Sequence, residues 1–326
     1  MTTYDVTIAG ELNLDLILYG LPEALPPERE LLASEMAVTL GSSSAIVAHN
    51  LAALGCKVGF TSCIGQDDIG DLALNRLRAA GVDVSTVRRL SPPPKTGLTV
   101  LLPRDGWRNI LTYPGTIFEL RPEHLDVGYL ASSRHFHLSS YFLQKELRSH
   151  VPALFRELKA AGLTISLDTN DDPADEWGND IESVLPMVDV FLPNAREAIQ
   201  ITRSKSLEEA MDRLASIVPL VVVKLGSEGA TARRGKQAIH SPALKVQVVD
   251  SVGAGDSFDA GFLREFVNGS DLATCLESGN LAGALSTTRS GGTEAFRDQE
   301  HRERFYRERS TVNSSIEGSR QKGRRW

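Results

Sequence analysis

Short β-branched runs alternate along the chain with stretches whose apolar residues recur at helical spacing, which is the pattern of βαβ units around a mainly parallel sheet. Strands are predicted near Val6–Ala9, Val58–Ile64, His135–Leu138, Thr164–Leu167, Val190–Leu192 and Leu220–Lys224. Helical patterns fall between and after them, at Ser44–Leu54, Asp71–Ala80, Leu147–Ala161, Ala195–Ile199, Leu207–Ser216, Gly255–Asn268, Leu272–Arg289 and Glu300–Arg309. The first two are stopped by Gly55 and Gly81, because glycine takes the left-handed conformation just past a helix at no steric cost. The expected class is α/β, a doubly wound, mainly parallel core of three αβα layers.

Residues 12–38 and 96–114 break this rhythm. In the second, Asp105-Gly106 stands between two apolar runs, a strong hairpin signal. Together the two stretches predict a small antiparallel β lid beside the α/β crevice. An exposed edge on such a lid also suits pairing with a second copy, so a homodimer through the lid is the matching expectation.

Composition narrows the function classes. The chain has 326 residues, 41% hydrophobic and 24% charged, which suits a globular protein and not a disordered or fibrous one. A formal net charge of −7 opposes wholesale binding to a polyanion, so no nucleic acid is expected as partner. The last 26 residues run the other way, with eight Lys/Arg against three Asp/Glu; one domain over 1–310 followed by a basic flexible tail at 311–326 is the reading. The longest apolar run, Ile217–Val223, is far short of the roughly 20 residues that cross a bilayer, and the opening apolar stretch lacks a basic flank. No membrane partner and a cytoplasmic location are expected. Cys56, Cys63 and Cys275 are too few and too scattered for a disulfide framework, and His135 and His137, although on one strand face, have no third metal ligand at suitable spacing.

The most informative segment reads DSVGAGDSFDAGF, from Asp250 to Phe262. Val246–Val249 is predicted as a strand that enters this glycine-rich turn, and the turn opens a helix. The first N–H groups of a helix lack intrahelical acceptors and glycine leaves them bare, so the amides from Gly253 to Asp256 form an anion trap reinforced by the helix dipole. Asp256 beside it is placed to take a proton from a hydroxyl. Plain first-turn preferences account for the same residues equally well. The chain has no G-x-x-x-x-G-K-[ST], no G-x-G-x-x-G after a strand and no G-x-S-x-G, which removes a Walker site and a dinucleotide fingerprint and weakens a hydrolase reading.

At this point the chain resembles the ribokinase-like, or PfkB-type, carbohydrate kinases, over about residues 4–300, with DSVGAGDSFDAGFL at 250–263 similar to the C-terminal signature of that family. The resemblance implies a ribokinase-like fold and a phosphotransferase acting on an alcohol group. Asp256 would be the catalytic base, Gly253, Ala254 and Gly255 the anion hole, and Asp250 a residue near the substrate or a monovalent cation. GELNLD at 10–15 resembles the first-strand segment in which Asn13 and Asp15 face the sugar. The end of the first strand is also where α/β sheets bind ligands.

GSSSAIVAHNLAALG at 41–55 resembles the N-terminal signature, with Gly41 and Ser42 facing the substrate, but departs from it: Ser42 replaces a second glycine and Ile46 the usual asparagine. LPNAREA at 192–198 resembles the N-x-x-E motif, implying that Asn194 and Glu197 place Mg²⁺ and its waters; a capping box is the alternative for the same pair. VVVKLGSEGA at 221–230 resembles the nucleotide strand and turn, which implies that Lys224, Gly226 and Gly229 approach ATP. Asn280 and the Ser290-Gly291-Gly292 turn resemble the adenine-side wall, with carbonyls suited to a K⁺-like ion, and Asp168-Thr169-Asn170 resembles the D-x-N segment on the phosphate and sugar side.

The implied activity is ATP-dependent phosphorylation of a primary hydroxyl on a small sugar or sugar acid, with ATP and Mg²⁺. Two alternatives stay open: an adenosine-type nucleoside kinase, and a catalytically weak sugar-binding regulatory protein.

Overall fold

The computed structural model describes residues 2–92, 94–104 and 107–309, so the expected tail at 311–326 and the Asp105-Gly106 tip lie outside the described residues. The strands are β1 (Tyr4–Ala9), β2 (Leu14–Tyr19), β3 (Glu35–Leu40), β4 (Val58–Thr61), β5 (Cys63–Gly65), β6 (Arg88–Leu90), β7 (Leu98–Arg104), β8 (Trp107–Tyr113), β9 (Ser133–Leu138), β10 (Thr164–Leu167), β11 (Val190–Phe191), β12 (Leu220–Lys224), β13 (Ala230–Arg234) and β14 (Gln237–Ser241). Eight of them form one sheet in the order β14-β13-β12-β11-β10-β9-β1-β4. Pairing is parallel from β4 to β12, and the β13–β14 hairpin closes the far edge antiparallel.

The sheet is buried on both faces, which is why its strands read as continuous apolar runs. Successive residues of β12 show this: Leu220 and Val222 pack with Phe258, Phe262 and Leu276 on one side, whereas Val221 and Val223 pack with Phe155, Ala198 and Leu214 on the other. Helices Ser43–Ala53, Asp68–Ala79, Ala254–Val267 and Leu272–Ser286 cover the first face. Val151–Ala160, Ala195–Thr202 and Leu207–Ala215 cover the second. The doubly wound αβα architecture is therefore as the sequence pattern predicts.

Three local expectations are corrected. Val246–Val249 is not a strand: Val248 and Val249 are 60% and 59% exposed, and the Val249 N–H donates to the Thr287 carbonyl at 2.7 Å instead of joining a ladder. The stretch predicted as one helix, Leu147–Ala161, is two, Lys145–Arg148 and Val151–Ala160, because Pro152 suits a helix start and not an interior. Val58–Ile64 also divides, β4 staying in the large sheet while β5 leaves to pair with β6.

Residues 12–38 and 96–114 supply nearly all of a second, four-stranded sheet in the order β3-β2-β7-β8. It consists of two antiparallel pairs, β2–β3 and β7–β8, joined by parallel pairing of β2 with β7. The sheet stands over the carboxyl ends of β1, β9 and β10.

Candidate active site

Between the two sheets lies a cavity of about 550 Å³. Its floor comes from loops at the carboxyl ends of parallel strands, where open α/β sheets bind ligands: Glu11 and Asn13 follow β1, Ser140 follows β9 and Asn170 follows β10. The small sheet contributes Asp15 from β2 and an apolar wall that includes Leu101 and Ile110. Asp256 and Gly253 close the remaining side.

Asp15 and Asn13 reach the cavity because Gly41 lies directly behind them; a Cβ there would stand 2.1 Å from Asp15 Oδ1 and 2.5 Å from Asn13 Nδ2. Burial, with the charges of Asp256 and Asp250 adding, raises the Asp15 carboxyl to about 7, opposed by Arg108. Ser42 keeps the backbone its missing glycine would adopt, at φ +60° and ψ 133°. Its hydroxyl donates to the Glu11 carbonyl at 2.8 Å and accepts weakly from the Ala45 N–H at 3.4 Å. Ser42→Gly relieves the backbone strain while losing these bonds, so its melting temperature should match the wild type within the effect of about 1 kcal/mol. Ser42→Ala keeps the strain and loses the same bonds; thermal denaturation should put it below Ser42→Gly.

The glycine-rich turn has the anticipated form. Gly253 is the N-cap of Ala254–Val267 at φ +70°, and a Cβ on it would stand 2.5 Å from the Gly292 Cα, so glycine is needed both for conformation and for space. Ile46, in place of the usual asparagine, packs its methyl group against Gly253 and Gly292. The Ala254 N–H makes a long bond to the Ser251 carbonyl, 3.3 Å, whereas no acceptor among the described residues meets the N–H of Gly255 or Asp256. The Asp256 side chain has no ion-pair partner among the described residues; Oδ1 accepts a bond of 2.5 Å from the Ser43 hydroxyl. Burial raises its carboxyl to about 6, with the Asp168 and Glu11 charges adding and the Ser43 bond opposing. Two bare amides, a half-buried unpaired carboxylate and a cavity thus meet at one helix start.

Asp250 braces this turn instead of facing the cavity. Oδ1 accepts from the Val252 N–H at 3.0 Å, and Oδ2 accepts from the Gly291 N–H at 3.0 Å and the Tyr19 hydroxyl at 3.0 Å. The Gly292 carbonyl is likewise taken, by Asn50 Nδ2 at 3.0 Å. The Asp250 carboxylate and the Gly292 carbonyl thus each accept from protein donors, and none of these oxygens stands bare for a monovalent cation.

The residues expected along the nucleotide lie beyond the turn, outside the cavity. Asn194 and Glu197 form a reciprocal capping box: the Glu197 N–H donates to Asn194 Oδ1 at 2.9 Å, and the Asn194 N–H to Glu197 Oε2 at 2.9 Å. Burial and the nearby Asp168 charge raise the Glu197 carboxyl to about 7 against the pull of Lys224. A carboxylate held against like charge favours a dication, and Mg²⁺ takes few protein ligands when phosphate oxygens and water complete its shell, so this pair fits the metal.

Gly226 and Gly229, at φ +60° and +101°, bound the turn after β12. A Cβ on Gly229 would stand 2.1 Å from the Ser241 carbonyl oxygen, and Asn280 Nδ2 donates to that same oxygen at 2.9 Å. Gly229 and Asn280 thus tie the β12–β13 turn to the chain after β14.

Lys224 and Asp168 differ from expectation. Asp168, with no exposed surface, lies beneath the cavity floor, and Lys224 turns its ammonium inward to Asp168 Oδ2 at 2.7 Å and to both oxygens of Asp259 at 3.2 and 3.1 Å. Burial alone would raise Asp168, but Lys224 holds it below the usual carboxylate range. Burial, the Asp168 charge and its bond to Asp168 push Asp259 well above that range, against the pull of Lys224. The two carboxylates hold the Lys224 proton tightly against the penalty of burial.

Sequence reasoning missed Glu11, Ser43 and Asp259. Glu11, 2% exposed, accepts from Gln144 Nε2 at 2.6 Å and the Ser44 hydroxyl at 2.9 Å. A carboxylate inside an apolar helix run, as at Asp259, signals a buried partner, but nothing local says which.

Comparison with known proteins settles the family, since residues 4–299 match the pfkB family carbohydrate kinase. The chain belongs to that family. Among its pfkB relatives, the ATP-dependent ribose-1-phosphate kinase of Halopiger xanaduensis is 32% identical over 295 residues, covering 89% of this chain and 94% of that protein. The crystal structure of a putative ribokinase II from E. coli in complex with ATP and Mg²⁺ superposes with a TM-score of 0.79 at 26% identity, over 93% of this chain and 99% of that one. Adenosine kinase from Sinorhizobium meliloti gives a TM-score of 0.79 at 25% identity, over 89% and 95%. This pfkB chain is accordingly a phosphotransferase of the sugar and nucleoside kinase group, and no helix among its described residues is long and apolar enough to cross a membrane.

Proposed function

We propose that the protein transfers the γ-phosphoryl group of ATP to a primary hydroxyl of a small sugar or sugar acid. The observation that carries this reading is the unpaired Asp256 carboxylate at the cavity, one residue from the bare Gly255 amide. Asp256 takes the hydroxyl proton as the acceptor oxygen attacks the γ-phosphorus in line. The amides from Gly253 to Asp256, chiefly those of Gly255 and Asp256, face the charge that spreads over the transferring group. Mg²⁺, placed by Glu197 and Asn194, would neutralise phosphate charge when bound. Asp15 and Asn13 accept and donate to acceptor hydroxyls, and closure of the small sheet excludes water as a competing acceptor.

The apolar wall of Leu101, Ile110, Ile117, Phe118 and Leu143 keeps a nucleoside acceptor as the second reading. Against it, Phe118 is the one aromatic side chain among the described residues that line the cavity, which gives a base no sandwich. ADP formation across hexoses, pentoses, 2-keto-3-deoxy acids and nucleosides, with Mg²⁺ and with or without K⁺, separates these readings; no ADP with any acceptor would leave a binding protein. β8 is the outer strand of its sheet and Trp107, Ile110, Leu111 and Tyr113 are each more than half exposed there, so the reading includes pairing of two copies along this edge, checked by sedimentation equilibrium.

Asp15→Ala should raise the KM for the acceptor at least about tenfold, the loss of one charged hydrogen bond, while the KM for ATP moves less than about twofold. Steady-state kinetics with each substrate varied in turn check this; equal shifts would detach Asp15 from the acceptor.

A further inference from the structure

Beneath the turn that would receive the phosphate lies a buried charge cluster with no reason to exist on grounds of stability. Asp259 sits one helical turn beyond Asp256 with no exposed surface. Lys224 reaches it from the end of β12 and also holds Asp168 at the end of β10. On its way the Lys224 side chain passes under the first turn of the helix, its ammonium nitrogen and last two carbons 3.7–3.8 Å from where a Cβ on Gly255 would stand. Asp168 in turn accepts from the Asn170 N–H at 3.3 Å, and Asn170 lines the cavity. One ammonium therefore joins three elements: the strand before the β12–β13 turn, the loop under the acceptor and the helix that carries Asp256 and its amides.

Apolar side chains of like volume usually stabilise such a site as well as a buried ion cluster or better. What they lack is direction, because charge-assisted hydrogen bonds add geometric specificity that packed methyl groups do not. Catalysis by in-line transfer needs that precision, since a misplacement of about 1 Å at the reacting groups costs about a hundredfold.

We infer that Asp259 is a positioning residue for the transfer reaction: held by Lys224 and Asp168, it fixes the first turn of the Ala254–Val267 helix, so that Asp256 and the Gly255 and Asp256 amides keep their geometry toward the cavity. This rests on the kinase reading above for its kinetic consequence, but its structural consequence can be read without turnover. The Lys224 ammonium keeps Asp168 as an ion-pair partner at 2.7 Å when a neutral side chain replaces Asp259, so the substitution leaves no lone buried charge.

The test compares Asp259→Leu, which keeps the number and branching of side-chain heavy atoms and removes the bonds, with Asp259→Asn, which is nearly isosteric and keeps a donor and an acceptor. In hydrogen exchange read by mass spectrometry, Asp259→Leu should lose protection at least about tenfold in peptides covering 254–258, read at the hydrogen-bonded amides from Ser257 on, while those covering the Leu272–Ser286 helix exchange as in the wild type. Asp259→Asn should exchange as the wild type does. In the kinase assay, Asp259→Leu should lose at least about tenfold in kcat with both KM values within about threefold, and Asp259→Asn should recover most of it. Unchanged exchange at 254–258 in Asp259→Leu would overturn the inference. So would protection lost evenly across the chain, a loss confined to KM, or an asparagine variant no better than the leucine one. A wild-type protein inactive on every acceptor would refute the kinase reading alone, and the exchange comparison would still decide the role of Asp259.

Discussion

Asp256→Asn should lose at least about two orders of magnitude in kcat, the usual contribution of a positioned base, while the KM for ATP stays within about twofold. The substitution is nearly isosteric, the Ser43 hydroxyl keeps an acceptor, and no ion pair is broken, so nothing in the site predicts a loss of structure. The pH dependence gives a second handle. Because burial raises the Asp256 carboxyl to about 6 in the free protein, kcat/KM of the wild type should fall on the acid side as the base becomes protonated through pH 6. The variant should be flat and low over the same range.

Stability should move the opposite way. A carboxyl raised from 3.8 to about 6 in the fold is one the fold prefers protonated, so the native state loses stability as pH rises from about 4 and the whole penalty is present above 6. Asparagine removes that penalty, and Asp256→Asn should melt no lower than the wild type at pH 7 and gain nothing at pH 4. A variant with near-normal turnover, or one destabilised at pH 7, would take the base role away from Asp256.

What the sequence disclosed and what it withheld follow from how local each interaction is. The turn at Gly253 was legible because a strained φ, a missing Cβ and a helix start are written in consecutive residues. Asp15 and Asn13 were legible for a similar reason, since their place after the first strand follows from topology. Val246–Val249 misled because β-branched residues signal a strand only when a neighbour offers a ladder, and here the sheet has already ended with β14. The small sheet was foreseen as an element, but the parallel pairing of β2 with β7 joins segments more than eighty residues apart and no local pattern encodes it. Lys224 misled most: its glycine-rich surroundings indicate a nucleotide turn, while its partners lie 35 and 56 residues away in sequence. Glu197 carried two readings that the fold does not force apart, since a capping carboxylate keeps lone pairs free for a metal shell.

The inward turn of Lys224 gives the second large effect. Were its ammonium an ATP contact, Lys224→Met would fold normally and raise the KM for ATP. Buried between two carboxylates, it should instead cost about 3–5 kcal/mol, the usual penalty for removing one member of a buried ion group and leaving the others unpaired. Methionine matches the lysine stem in length and flexibility, so the loss measures charge and not packing. Asp168 is the partner at 2.7 Å with its carboxyl held low, and it bears most of the uncompensated charge once Lys224 is gone. Adding Asp168→Asn to Lys224→Met should therefore return more than half of the lost stability, a coupling that a double-mutant cycle in urea denaturation reads directly. The single variant should also recover as pH falls and Asp168 takes up a proton, whereas the wild type, which relies on that charge to hold Lys224, should weaken over the same range. Additive effects of the two substitutions, or a single variant that keeps its midpoint and loses only ATP affinity, would return Lys224 to the nucleotide.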